Sequence, residues 1–394
     1  MKSIVTYMVV LLVAAVVLRI DFYVAIVYLF LAIYLLSRLW AQRLRQALRA
    51  ERHFEKRAFI GDRVPVSLTL RNISWLPIPW ITASETLPVE LATPPFHQEA
   101  LALGPKESQT LHYEVRCQRR GYYPIGPVRL QMGDLLGVVK HNPLQVEPSY
   151  LTVYPRIIPL QHLGLPTRSP LVALPARSPL FEDPSRIMGV RDYKRGDPPK
   201  RIHWTATARA GRLVVKNYQP AIARETLICL DMSEDSYARG ELHSATELAI
   251  IVAASLAHHI IVEERLPVGL ATEVWDPLPR DQVRHLLPPR TERAHLTQIL
   301  EVLARARVTS GISFTNLLRD ASLELSWGST MTLVTGRGDS ALLESLLVLR
   351  RASFAVNVIL VQPRQGFAEL RQHASILGVQ LHQIWHEHDL ETWR

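Results

Sequence analysis

Two uncharged apolar runs open the chain, Ile4 to Leu18 and Phe22 to Leu36, separated by Arg19-Ile20-Asp21. As one helix they would reach about 50 Å, against a hydrocarbon core of about 30 Å. As two helices each apolar run covers about 22 Å, and flanking residues or local thinning of the bilayer supply the rest. The pattern predicts a transmembrane helical hairpin over 1–40 that turns at Arg19 to Asp21, with a re-entrant or single tilted anchor as the alternative. A second apolar run following at once argues against a cleaved signal peptide. From about residue 58 the period becomes two. Val64, Val66, Leu68 and Leu70 alternate with small or polar residues, as do Leu111, Tyr113 and Val115, and Val128, Leu130 and Met132. Turn residues at Gly61-Asp62, Pro77 to Pro79, Gly104-Pro105 and Gly121 punctuate these runs, so an antiparallel β-sandwich is expected over 58–155.

Seven prolines between 155 and 184 leave no periodic pattern, which predicts a stiff linker or strap. From about 224 short apolar strands alternate with helical patterns. Strands are expected at Thr226 to Leu230, Pro267 to Ala271, Met331 to Val334, Phe354 to Val361 and Val379 to Trp385. Helices are expected at Leu248 to Ile261, Leu296 to Leu303, Leu317 to Leu325, Leu342 to Leu349 and Phe367 to Leu377. Continuous apolar strands alternating with helices predict a parallel sheet covered on both faces.

Charge sets the orientation. The chain carries a net +9. Arg38, Arg43, Arg45, Arg49, Arg52, Lys56 and Arg57, opposed by Glu51 and Glu55, give a basic juxtamembrane helix over 41–57. The positive-inside rule places this stretch, and all that follows, in the cytoplasm. A second basic stretch holds Arg186, Arg191, Lys194, Arg195, Lys200, Arg201, Arg209, Arg212 and Lys216 against Asp192 and Asp197. With 48% hydrophobic and 21% charged residues, long-range disorder is excluded. The two cysteines, Cys117 and Cys229, show no paired spacing and read as buried small hydrophobes.

Ligands of parallel sheets bind at the carboxyl ends of strands, which draws attention to Asp231, directly after Thr226 to Leu230. Asp231, Ser233 and Asp235 stand at i, i+2 and i+4, and Thr315 adds a hydroxyl ahead of a helix. Oxygen side chains at this spacing suit a hard divalent cation such as Mg²⁺. The set resembles the metal-ion-dependent adhesion site of von Willebrand factor A domains, D-x-S-x-S followed by a threonine and then an aspartate. Asp235 stands where that pattern has serine, and Thr335-Gly336 where it has T-D-G. The bland reading is that Asp231 caps a turn and binds no metal. For the basic stretch, the expected role is a folded junction with Ile202 and Trp204 buried. The alternatives are a hydrolase using His203 and Asp197 as acid and base, a nucleic-acid surface over 186–216, and a docking face for an acidic partner.

The run V-R-D-Y-K-R-G-D-P-P-K-R-I-H-W-T-A-T-A-R at 190–209 resembles the hallmark of domain-of-unknown-function family 58. Its marked residues in this chain are Arg191, Tyr193, Gly196, Asp197, Arg201, His203, Trp204 and Arg209. Arg119-Arg120-Gly121 through Gly126-Pro127, Gly133-Asp134-Leu135-Leu136-Gly137, Val153-Tyr154-Pro155 and Leu286-Leu287-Pro288-Pro289 fit the same family, with Leu135 where proline is usual. The resemblance implies a two-helix membrane anchor, a von Willebrand A-like α/β domain and frequent company of MoxR-type AAA+ ATPases. The resulting expectation is a bacterial, non-enzymatic adaptor in the cell membrane. Its parts are a hairpin (1–40), a basic helix (41–57), a β-sandwich (58–155), a linker with the basic motif (156–222) and a von Willebrand A-like domain (223–394). It would bind a partner protein and no nucleic acid.

Overall fold

The computed structural model describes residues 10, 21–92, 94–132, 143–160, 182–194, 202–220, 225–326, 328–364 and 367–391. The chain divides into two compact units, Met1–Arg156 and Ile157–Arg394. Apart from Val10, the first run of the expected hairpin lies outside the described residues, as do the turn at Arg19-Ile20 and most of the proline-rich stretch.

In the first unit, helix α1 (Asp21–Ala47) carries the second apolar run and continues beyond it. It exposes Tyr28, Leu29, Phe30, Leu35, Leu36 and Leu39, a larger apolar surface than a water-soluble helix ordinarily shows. Its last turns bury Leu44 and Ala47. The helix expected over 41–57 ends there, because Leu48–His53 is strand β1. Leu48, Ala50 and Arg52 point to one side with a period of two, and the arginines in this stretch hid that alternation.

Nine further strands follow: β2 (Arg57–Phe59), β3 (Arg63–Asn72), β4 (Ile78–Thr86), β5 (Phe96–Leu103), β6 (Ser108–Arg116), β7 (Gly121–Ile125), β8 (Val128–Met132), β9 (Leu144–Val146) and β10 (Ser149–Tyr154). They form three sheets, ordered β1-β3-β6, β2-β10-β7 and β5-β4-β8-β9. All pairings are antiparallel except β2 with β10. The alternation read in β3 is real: Val64, Val66, Leu68 and Leu70 are all buried. Leu68 and Leu70 pack with Ile78, Ile81, Leu111 and Leu130. Val64 and Val66 pack in a second cluster with Val115, Ile125, Leu151 and Val153. Strand twist lets one face of β3 serve both. Cys117 is free and buried, like Cys229 in the second unit.

The second unit opens its described part with an antiparallel ribbon of β11 (Glu182–Asp192) and β12 (Val214–Pro220), with the short helix α2 (Trp204–Ala210) between them. The α/β part then runs β13 (Thr226–Leu230), α3 (Leu242–His258), β14 (Val268–Asp276), β15 (Asp281–Arg290), α4 (Arg293–Arg305), α5 (Phe314–Leu323), β16 (Thr330–Thr335), α6 (Ser340–Arg351), β17 (Ala355–Val361), α7 (Phe367–Ile376) and β18 (Gln380–Ile384). The sheet order is β15-β14-β13-β16-β17-β18. Every pairing is parallel except β14 with β15. Counted along this part, the order is 3-2-1-4-5-6, the doubly wound arrangement with one antiparallel edge. Each expected strand and helix appears within a few residues. Strand β15, which includes Pro288 and Pro289, has no counterpart among the elements expected from the sequence. It is an edge strand, where proline is tolerated.

Among the described residues, the helix long and apolar enough to cross a membrane is Leu242–Glu263, and most of its apolar window is buried in its own unit. It is hydrophobic all round because the sheet and α4 enclose it. Ser255, on the same helix, accepts a 2.9 Å bond from the Ile158 N–H.

Candidate functional site

In a doubly wound sheet the crevice opens where the strand order reverses, outside the carboxyl ends of the strands. In this chain those strands are β13 and β16. Their register pairs Leu230 with Val334, and the Asp231 N–H extends the ladder by donating to the Val334 carbonyl at 2.9 Å. The next pair is therefore Asp231 beside Thr335. The Thr335 hydroxyl donates to Asp231 Oδ2 at 2.6 Å, across 104 residues of sequence.

The loop after Asp231 folds back onto it. The Ser233 N–H donates to Asp231 Oδ1 at 3.0 Å, and the Tyr237 hydroxyl donates to the Asp231 carbonyl at 2.7 Å. Asp231, Ser233, Ser236 and Tyr237 are all buried. Burial pushes the Asp231 carboxyl above its ordinary range. Hydrogen bonds from Thr335, Ser236 and the Ser233 backbone, and the nearby charge of Arg337, pull the other way.

Arg337 completes the cluster. Its N–H donates to Thr335 Oγ1 at 3.0 Å and its Nε to Ser236 Oγ at 3.3 Å. Its Nη1 lies 3.3 Å from Asp339 Oδ2. Asp339 also caps helix α6, accepting from the Leu342 N–H at 3.0 Å. Gly336 sits between the two anchors. A Cβ there would lie 2.5 Å from Tyr237 Cδ1 and 2.7 Å from the Ser236 carbonyl, so a side chain at 336 is sterically refused.

Of the four oxygen donors expected from sequence, Asp231 and Ser233 stand together. Asp235 is exposed. Thr315 shares a 2.7 Å hydroxyl contact with Ser313, and the threonine that touches Asp231 is Thr335. The loop ahead of α5 does reach this region, because the Ser233 hydroxyl donates to the Ile312 carbonyl at 3.5 Å. These groups do not fit an Mg²⁺ cage. Both oxygens of the single buried carboxylate are engaged, a guanidinium stands beside it, and no cluster of three His, Cys, Asp or Glu occurs among the described residues. Sequence reasoning gave no role to Ser236 or Arg337, and it reached Thr335 only as the strand end that stands where the resembled pattern has T-D-G, without its bond to Asp231.

The basic motif is built as a capped turn. His203 is the N-cap of α2, its Nδ1 accepting from the Ala206 N–H at 3.3 Å, and Gly211 closes the helix in the left-handed region at φ 64. Thr207 and Val214 exchange hydrogen bonds, and Arg212 pairs with Asp192 at 2.9 Å on the surface. Arg209 lies in the last turn of α2, where the helix dipole favours a cation. Arg191 donates to the Asp192 carbonyl at 3.2 Å, and the Tyr193 N–H donates to the Leu213 carbonyl at 3.0 Å. The expected burial of Trp204 is not found: it is 66% exposed. It occupies the first position of a helix that buries no residue, and Ile202 is only half-buried. Gly196, Asp197 and Arg201 lie outside the described residues.

Comparison with known proteins supports the resemblance seen in the motif. Residues 189–325 match the family described as "Protein of unknown function DUF58". That span covers the capped turn, Asp231 and Thr315, and stops short of Thr335 and Arg337. The uncharacterized protein YeaD of Bacillus subtilis (strain 168) is 25% identical over 250 residues, 59% of this chain and 58% of that protein. The chain thus spans about 58% of the length of that curated relative. Among solved structures, the CARDB domain of a Pyrococcus furiosus protein in complex with di-metal ions is 16% identical, covering 27% of this chain and 86% of that one, with a TM-score of 0.22. A β-glucosidase from Listeria innocua is also 16% identical, covering 27% of this chain and 16% of that one, with a TM-score of 0.19. Motif, family match and relative agree that residues 189–325 of this chain resemble the DUF58 family.

Proposed function

We propose that this protein is a membrane-anchored adaptor whose α/β domain, of von Willebrand A type, binds a partner protein at the carboxyl ends of β13 and β16. The carrying observation is the buried Asp231–Thr335 contact at the point where the strand order reverses, the usual place for a ligand on such a sheet. The sheet order 3-2-1-4-5-6 with its antiparallel edge supports the assignment of fold type. The exposed apolar surface of α1 and the arginines that follow support a two-helix anchor within 1–40, with both units on the cytoplasmic side. In this reading the β-rich unit is a β-sandwich that follows the anchor along the chain. His203, engaged as a helix cap, favours an adaptor over a hydrolase.

The family resemblance suggests a MoxR-type AAA+ ATPase as the partner, in the assembly or maturation of other proteins. Crosslinking in intact membranes followed by pull-down tests it: an AAA+ ATPase is expected in the captured material. Turnover of a small compound by the purified chain, or digestion of both units by protease added outside intact cells, would refute the adaptor reading.

A further inference from the structure

We infer that Arg337 supplies the positive charge at the ends of β13 and β16, so that the site takes a carboxylate from an acidic segment of the partner directly, without a divalent cation between them. This rests on the docking reading above and assigns the chemistry of that site.

The first argument is the state of Asp231. A carboxylate offers roughly four lone-pair positions. The Ser233 N–H and the Thr335 hydroxyl occupy one on each oxygen, and the Ser236 hydroxyl is a further partner of the same group. The carboxylate is committed to holding the two strand ends and their loop together. The second argument is steric. An aspartate following Thr335 would be a second acidic ligand for a metal, and position 336 cannot hold one, because Tyr237 and the Ser236 carbonyl fill the space.

The third argument is the placement of the guanidinium. Arg337 is tied through its N–H to Thr335, through Nε to Ser236 and through Nη1 to Asp339, and its side chain is 18% exposed. Its rotamer entropy is already spent, and a planar guanidinium matches a carboxylate in a two-bond fork. A divalent cation brought to the same place would meet like charge.

Asp339 shows what the site accepts. One of its oxygens caps α6, while the other faces Arg337 from a side chain that is 48% exposed. It is an internal carboxylate occupying part of the guanidinium's fork, and an incoming carboxylate competes with it. Asp339→Asn keeps an N-cap of equal quality and removes the competing charge.

The test uses the full chain in lipid nanodiscs and a fluorescent hexaglutamate peptide, with binding read by anisotropy in Mg²⁺ and in EDTA. Equal affinity is expected in the two buffers. Arg337→Gln should weaken binding about tenfold, the effect of losing one charge-assisted pair. Arg337→Lys should fall between, and Asp339→Asn should bind more tightly than the parent. A gain of affinity cannot come from misfolding, so the last variant keeps the test decisive. Binding that needs Mg²⁺ and survives Arg337→Gln overturns the inference and leaves the docking reading intact. Binding unchanged by Arg337→Gln in both buffers places the peptide elsewhere on the chain, where two basic stretches are available, and also overturns it. No binding in either buffer overturns it as well, and membrane crosslinking then shows separately whether a partner docks by other means.

Discussion

Breaking the buried ion pair of the β-rich unit should be among the most damaging single changes available in this chain. Arg52 on β1 and Glu85 on β4 meet at 2.7 Å, with each side chain only 2% exposed. Tyr113 on β6 donates its hydroxyl to the other oxygen of Glu85, and the His97 ring from β5 stacks on Tyr113 at 4.7 Å. Arg52 Nη1 also reaches the Glu147 carbonyl at 3.3 Å and the Ser149 hydroxyl at 3.2 Å. Two sheets and the turn between β9 and β10 are therefore joined through one guanidinium. Arg52→Met leaves a carboxylate in the core without its cation, which costs about 3–5 kcal/mol. Against a domain stability of about 5–15 kcal/mol, that is a large share. Burial lifts the Glu85 carboxyl above its ordinary range despite Tyr113, Arg52 and His97, so the pair does not fully repay its desolvation. Arg52→Met combined with Glu85→Leu should accordingly be close to neutral, or stabilising by about 1–4 kcal/mol. Hydrogen exchange of peptides from β1, β4 and β6 in the intact chain reads this locally. Protection should fall by about 10²–10⁴-fold in Arg52→Met and recover in the double variant. A loss smaller than about fivefold, or a double variant worse than either single one, would refute the reasoning.

Other expectations follow from the second unit. Thr335→Val removes the donor to buried Asp231 Oδ2 and should cost about 1–3 kcal/mol, seen as faster exchange at the ends of β13 and β16. Gly336→Ala forces a methyl group into Tyr237 and should cost about 1–3 kcal/mol, whereas Gly240→Ala, with nothing within 4 Å, should leave the melting temperature nearly unchanged. Burial lowers the pKa of His258, His285 and His382, against the opposing pulls of Glu263 on the first and Asp276 on the second. A histidine with a depressed folded pKa contributes stability that is present above its unfolded value of about 6.5 and lost as pH falls through the folded one. Unfolding of the second unit should therefore become easier below about pH 6.5, and replacing the three by glutamine should flatten that slope in a melting series against pH.

Much of the architecture is written locally. The period-two runs of β3, β6 and β8, the strand–helix alternation after 224 and the position of Asp231 at a strand end all follow from side-chain spacing within a few residues. Where local spacing misled, a neighbour elsewhere in the chain had changed the meaning of a residue. Arg52 reads as a solvated cation, yet Glu85 and Tyr113 make it an interior residue and turn Leu48–His53 into a strand. Pro288 and Pro289 disfavour a strand by local propensity, yet an edge position tolerates them. Trp204 reads as core, yet its short helix faces solvent.

The candidate site lay beyond local reading for the same reason. That Asp231 marks a strand end is visible in the sequence; that its hydroxyl partner is Thr335, and that Arg337 and Asp339 follow it there, depends on β13 and β16 becoming parallel neighbours. Parallel neighbours are joined by long crossovers, so no spacing along the chain records which strand ends will meet. Sheet order and register decide it, and they are properties of the folded core as a whole.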